Sequence, residues 1–153
     1  MQENTQPISK GKFTFQSTAV LFLLSALFEI TSVNSSVPLF GAIRSGLFAE
    51  SYHLVYFVIF LTLGIGLWKR KYWGYIAVFV ATLIYTADKV TFLLNQPFIE
   101  KMISAQLAGY ETLLPPLDKG FILQILTLTF SLVVICWWAF ALYTYKHRKY
   151  FYK

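Results

Sequence analysis

Four ionisable residues lie inside otherwise apolar stretches of the sequence, and they are the groups best suited to do chemistry there. They are Glu29, His53, Asp88 and Lys89. A histidine beside a carboxylate forms a general acid–base pair, because imidazole gains and loses a proton near neutral pH. Glu29, His53 and Asp88 are therefore the candidate catalytic residues, and Lys89 is a candidate counter-ion for Glu29. No familiar catalytic or phosphate-binding motif accompanies these four residues.

The stretches that contain these residues are long enough to cross a bilayer. The chain has 153 residues, of which 57% are hydrophobic and 13% charged, whereas soluble domains are about 25% charged. A spanning helix needs about 20 mostly apolar residues, and four segments approach or exceed that length: 13–33, 51–68, 72–94 and 120–145. The sequence predicts one all-α domain, an antiparallel bundle of four transmembrane helices, with tails at 1–12 and 146–153.

The polar residues within the predicted spans share a common depth. At a rise of about 1.5 Å per residue, Glu29, His53, Asp88 and Gln124 all fall within roughly 10 Å of one membrane boundary. Lipid cannot satisfy such side chains, so they face the bundle interior or water. This predicts a polar pocket that opens on one side of the membrane and narrows toward an apolar half. An alternative is that these groups only hold the helices together.

The predicted pocket combines charged, polar and aromatic side chains. Neighbouring helical residues point about 100° apart, so we expect only one of Asp88 and Lys89 to face the pocket while the other extends outward. Tyr52, Tyr56 and Tyr85 are suited to line a site for a flat or apolar ligand. The predicted ligand-binding residues are Glu29, His53, Tyr56, Tyr85, Asp88, Lys89 and Gln124.

Basic residues at the ends of the spans predict the orientation of the chain. One side of the membrane receives nine of them: Lys10, Lys12, Lys69, Arg70, Lys71, Lys146, Arg148, Lys149 and Lys153. The other side receives Arg44, Lys101 and Lys119. Both termini are therefore expected in the cytoplasm, with the chain in a bacterial plasma (inner) membrane. The basic and aromatic tail at 146–153 is expected to anchor at the interface.

The two longer loops are predicted to lie on the outer side. Residues 34–50 are rich in apolar side chains and are expected at the interface or dipping into it. Within 96–119, Phe98, Ile99, Met102, Ile103, Leu107 and Tyr110 recur at helical spacing, with Glu100, Lys101, Ser104 and Glu111 on the opposite face. This predicts a short amphipathic interfacial helix before the fourth span, acting as a membrane anchor or as a lid over the pocket.

Several other kinds of site are not expected. Cys136 is the single cysteine, which excludes a disulfide framework and a dithiol redox centre. One intramembrane histidine with two distant carboxylates makes a poor metal site, and His147 is predicted at the opposite face from His53. The basic residues lie where topology and anionic lipid explain them, so nucleic acid is not an expected partner. We predict no metal and no cofactor.

Three functions remain open from the sequence. The first is a binding or accessory protein that presents the pocket and associates with itself or with a larger membrane complex. The second is a membrane-embedded enzyme that acts on a lipid-like substrate through Glu29, His53 and Asp88. The third is a subunit of an oligomeric transporter or channel, although the apolar inner halves of the spans disfavour a continuous pore.

Overall fold

The apolar runs of the sequence form long helices. The computed structural model describes residues 11–39, 42–107 and 119–152. Its elements are α1 Lys12–Thr31, β1 Val37–Leu39, β2 Ala42–Arg44, α2 Leu47–Trp68, α3 Tyr72–Leu94, α4 Gln96–Leu107, α5 Lys119–Lys146 and a 3₁₀ turn at Arg148–Phe151. By length and composition, α1, α2, α3 and α5 can each cross a membrane. The prediction of a mostly helical chain with four helices long and apolar enough to span a membrane is confirmed.

The segment before α2 differs from the expected interfacial loop. Residues 37–39 and 42–44 pair as a short antiparallel hairpin, with Val37 opposite Arg44. Helix α2 begins at Leu47, four residues before the predicted span, because Gly46 adopts a φ of +63° that turns the chain into the helix. Glu50 then lies in the first turn, where the helix dipole favours a negative charge. The hairpin packs on α3.

Helices α2 and α3 form a tight antiparallel pair around a turn at residues 69–71. Gly66 and Gly74 lie at the crossing, and a Cβ added to Gly66 would be 2.5 Å from the Gly74 Cα. Small residues permit this backbone contact between spanning helices. Arg70 takes a left-handed φ of +54° in the turn. We call this end of the molecule, where α1 begins and α5 finishes, the termini end.

Aromatic rings fill the termini end. Phe15 is fully buried, with its ring centroid 4.6 Å from that of Tyr150 and 5.1 Å from that of Phe151. Tyr143 and His147 complete this group, which we call the terminal aromatic cluster. Tyr150 and Phe151 of the C-terminal tail are buried in this cluster. The 3₁₀ turn folds the tail back, so their apolar rings pack between the helices.

The opposite end, called the loop end, contains the hairpin and α4. Helix α4 starts at Gln96 and tolerates Pro97 because a proline in the first turn lacks only an N–H that is unpaired there anyway. Ile99 and Ile103 are buried, and they pack with Phe92 of α3 and with partly buried side chains of α5. The helical periodicity of this segment is confirmed for residues 96–107. The predicted positions Tyr110 and Glu111 lie outside the described residues.

Candidate functional site

The first polar pair joins α1 to α2 at the loop end. The His53 Nδ1 and the Glu29 Oε2 are 2.7 Å apart. His53 is only 7% exposed, and the Glu29 side chain is 20% exposed. A carboxylate accepts hydrogen bonds, so Nδ1 carries a proton and donates it to Glu29. The sequence-based pairing of His53 with Glu29 therefore has suitable geometry.

This bond leaves the other imidazole nitrogen of His53 for a different partner. The Nε2 atom is buried, and no hydrogen-bonding group of the described residues contacts it. Most buried polar side-chain atoms in proteins are paired. Because Nδ1 is fixed as the donor, the neutral imidazole presents a lone pair at Nε2. A carboxylate-oriented histidine with its second nitrogen available is the arrangement that general base catalysis uses.

The second polar group gathers around one carboxylate oxygen of α3. The Oδ2 atom of Asp88 accepts hydrogen bonds from the hydroxyls of Tyr52 and Tyr56, each at 3.3 Å, and from the Lys89 Nζ at 2.9 Å. Asp88 is 9% exposed. Three donors, one of them a cation, compensate for the burial of this charge. Tyr52 thus has a polar role besides the aromatic one that the sequence predicts.

The side chain of Lys89 does not point away from Asp88, although the two residues are neighbours on a helix. The two Cα–Cβ bonds diverge, yet the four-methylene side chain of Lys89 bends back to the Asp88 carboxylate. Its ammonium also lies 5.2 Å from the Tyr85 ring centroid and 5.3 Å from that of Phe130. The expectation that Asp88 and Lys89 take separate directions is wrong. The predicted counter-ion of Glu29 was Lys89, whereas the observed partner is His53.

Tyrosine rings link the two polar groups. The rings of Tyr52 and Tyr56 are 4.5 Å apart, and the Tyr52 ring meets the His53 ring edge-on at 5.8 Å. The spacing of four residues between Tyr52 and Tyr56 places them on one face of α2. Tyr85 stacks on Trp137 of α5 at 5.4 Å. Six of the seven predicted ligand-binding residues therefore lie in or beside this aromatic and polar region.

Gln124 is the exception. Its side chain is exposed on α5, and none of the hydrogen bonds found within the described residues joins it to Glu29, His53 or Asp88. Only 6% of the α5 span is buried, compared with 33% of the α2 span. Helix α5 contacts its neighbours along a narrow face, so a matching depth does not bring Gln124 to the site. The position of a residue along its helix follows from the sequence, but rotation about the helix axis depends on packing.

A cavity of about 420 Å³ opens beside Asp88 between α2 and α3. It is lined by Leu39, Phe48, Ser51, Tyr52, Val55, Tyr56, Ile84, Ala87 and Asp88. Apart from Asp88, the serine and the tyrosine hydroxyls, this lining is apolar. Leu39 reaches the cavity from the β-hairpin, and sequence reasoning missed it because no periodicity links residue 39 to either helix. Ligand sites in proteins are mostly apolar with a few directed polar groups.

The described residues contain no group of three or more histidine, cysteine, aspartate or glutamate side chains able to hold a metal ion. The chemistry available at the loop end is thus hydrogen bonding, proton exchange and apolar contact. Comparisons with protein-family models, with curated proteins and with solved structures find no match to this chain.

Proposed function

We propose that this chain is a small integral membrane binding protein whose intramembrane site takes an amphiphilic, lipid-like molecule. The cavity next to Asp88 is the observation that carries this proposal. Its volume of about 420 Å³ lies within the range of ligand pockets, roughly 300–1,000 Å³. The cavity lies between two helices that can each span a membrane, so a lipid-like molecule has direct access to it.

The lining favours an amphiphile with a head group that donates hydrogen bonds. Val55, Ile84 and Ala87 offer apolar contact for a hydrocarbon chain, while Asp88 places an acceptor in the same cavity. The Asp88 Oδ2 is already surrounded by three donors. The Oδ1 atom has no hydrogen bond within the part of the chain that the structure describes. A donor on the ligand can therefore bind Oδ1 without displacing Lys89.

Filling the cavity is expected to weaken this binding. In Ala87→Phe the added ring occupies the space between α2 and α3, and we expect the dissociation constant of oleyl alcohol in phosphatidylcholine nanodiscs to rise at least about tenfold. Asp88→Asn, which replaces part of the acceptor with a donor, is expected to weaken binding about fivefold. Native mass spectrometry of the full chain in nanodiscs measures both variants.

Leu83→Phe provides the matched control, because Leu83 is an exposed residue of the same helix that does not line the cavity. We expect its dissociation constant for oleyl alcohol to equal that of the unsubstituted protein. Equal binding by Ala87→Phe and Leu83→Phe would contradict the proposed site.

The proposal includes an orientation and a helix arrangement. The four spanning helices form an antiparallel bundle with both termini in the cytoplasm, so the cavity opens toward the outer side of a bacterial plasma membrane. The excess of basic residues near the termini end supports this orientation. Helix α4 lies at the outer interface. Its packing through Ile99 and Ile103 onto α3 and α5 supports an anchor that is held against the protein.

We further propose that the protein associates through α5, with a second copy or within a larger membrane complex. The low burial of this span leaves Gln124 on an exposed face, and an amide in a membrane is stabilised by hydrogen bonds from a neighbouring helix.

Gln124→Leu is expected to weaken dimerisation about threefold or more, as measured by subunit exchange in vesicles. Leu132→Ala on the same helix serves as the comparison. A monodisperse monomer at every protein-to-lipid ratio contradicts association.

A membrane enzyme acting on a lipid-like substrate is the second candidate. One observation favours it: the Glu29–His53 pair has the orientation of a general base and its carboxylate partner. A transporter or channel subunit gains less support, since aromatic side chains pack across the termini end. All three candidate functions use the same polar residues. The binding experiment tests the proposed binding function directly.

A further inference from the structure

The Glu29–His53 pair presents a buried atom that the proposed cavity does not use. His53 is absent from the cavity lining, and its Nε2 has no partner within the described residues. The residue is more than nine-tenths buried, so bulk water does not solvate this nitrogen freely. An unpaired buried polar atom is destabilising, so a hydrogen-bond partner for Nε2 is favoured.

The chemistry of that partner follows from the charges around His53. Glu29 and Asp88 are carboxylates and Lys89 is an ammonium, so a neutral imidazole leaves one negative charge in excess among these four residues. A negatively charged partner is therefore disfavoured. With Nδ1 donating to Glu29, the lone pair at Nε2 requires a partner that donates a hydrogen bond.

A hydroxyl group is the partner that meets both requirements. A carboxylate only accepts, and an ammonium brings a charge and three donors that a buried site must satisfy, whereas an O–H group donates and is neutral. We propose that His53 Nε2 is the binding atom of a hydroxyl site, held in position by Glu29, which takes the O–H of an alcohol head group or of a water molecule. The Nδ1 bond to Glu29 fixes the ring, so Glu29 is a positioning residue. This site does not depend on the cavity beside Asp88.

Nitrogen NMR of the full chain tests the proposal without any substitution in the site. The protein contains two histidines, and His147, which bonds the Tyr143 carbonyl through Nδ1 at 3.0 Å, serves as an internal reference. With ¹⁵N-labelled histidine in phosphatidylcholine nanodiscs, we expect His53 to be protonated at Nδ1 and hydrogen-bonded at Nε2. His147→Gln assigns the two sets of signals.

Two probes distinguish the sources of the hydroxyl. If an alcohol occupies the site, oleyl alcohol moves the His53 Nε2 signal while oleyl methyl ether, which lacks the O–H donor, does not. If water occupies it, neither probe moves the signal, and Nε2 shows magnetisation transfer from a bound water. Either result supports the hydroxyl site.

Three results overturn the proposal: an Nε2 signal without any hydrogen bond, a proton fixed on Nε2 instead of Nδ1, or equal shifts with the alcohol and the ether. In the alcohol case, His53→Phe is expected to weaken binding of oleyl alcohol at this second site about tenfold, while the affinity of the cavity stays unchanged. His147→Phe is expected to change neither affinity. The cavity hypothesis fails separately, through equal binding by Ala87→Phe and Leu83→Phe.

Discussion

Gly66→Ala is expected to lower the free energy of unfolding by about 3 kcal/mol or more, a large cost for a single added methyl group. The new Cβ would lie 2.5 Å from the Gly74 Cα and 2.7 Å from a ring atom of Trp73. Both obstacles belong to α3, and the nearer one is backbone, which cannot move without separating the two helices. Steric-trapping measurements in bicelles give the free energy of unfolding directly.

Gly64→Ala provides a graded comparison two residues earlier in α2. There the added Cβ would meet the end of the Leu23 side chain at 2.7 Å, while the nearest backbone atom, the Ala19 carbonyl oxygen, is 3.2 Å away. A leucine side chain can change rotamer, so we expect a cost of about 1 kcal/mol. Equal costs at the two glycines, or a negligible cost at Gly66, would contradict the close crossing of α2 and α3.

Phe15→Ala is expected to lower the free energy of unfolding by about 4 kcal/mol, the middle of the range for removing a buried aromatic side chain. Phe15 is fully buried and contacts the rings of Phe140, Tyr143, Tyr150 and Phe151. Its removal leaves a cavity and also frees the C-terminal turn that packs on it. The free energy of unfolding falls, and residues 148–152 become accessible to protease added on their own side of the membrane.

Phe13→Ala is the matched control, since Phe13 belongs to the same turn of α1 but is 83% exposed. We expect a change within about 0.5 kcal/mol and no new cleavage of the tail. If both phenylalanines cost the same amount, the terminal aromatic cluster does not hold the tail against the helices.

The terminal aromatic cluster also bears on function. It seals the termini end with packed rings, whereas the polar residues Glu29, His53 and Asp88 are concentrated toward the loop end. The Tyr150 hydroxyl bonds the Leu67 carbonyl oxygen at 3.5 Å, and the Arg70 guanidinium lies 5.0 Å from the Tyr150 ring centroid. The C-terminal turn is thus attached to the turn between α2 and α3. This asymmetry suits a site that is open at one end better than a pathway through the protein.

The sequence by itself determined the four helices that are long and apolar enough to span a membrane, and the position of each polar residue along its helix. Hydropathy is a sum over consecutive residues, and helical rise is constant, so both properties depend on the chain alone. The third span illustrates this, because its predicted limits coincide with α3 at Tyr72–Leu94. The helical spacing of apolar side chains in residues 96–107 is likewise a local property of the sequence.

Only the tertiary structure decided which polar groups meet. Glu29 pairs with His53 rather than Lys89, and Lys89 turns back to Asp88, because pairing depends on the rotation of each helix and on the length of each side chain. Gln124 is exposed on α5 and does not join the site. The tail at residues 148–151 has an interfacial composition, yet Phe15 and Leu67 create a place where its rings are better buried. These pairings depend on contacts between segments that are far apart in the sequence. No local sequence pattern encodes such contacts.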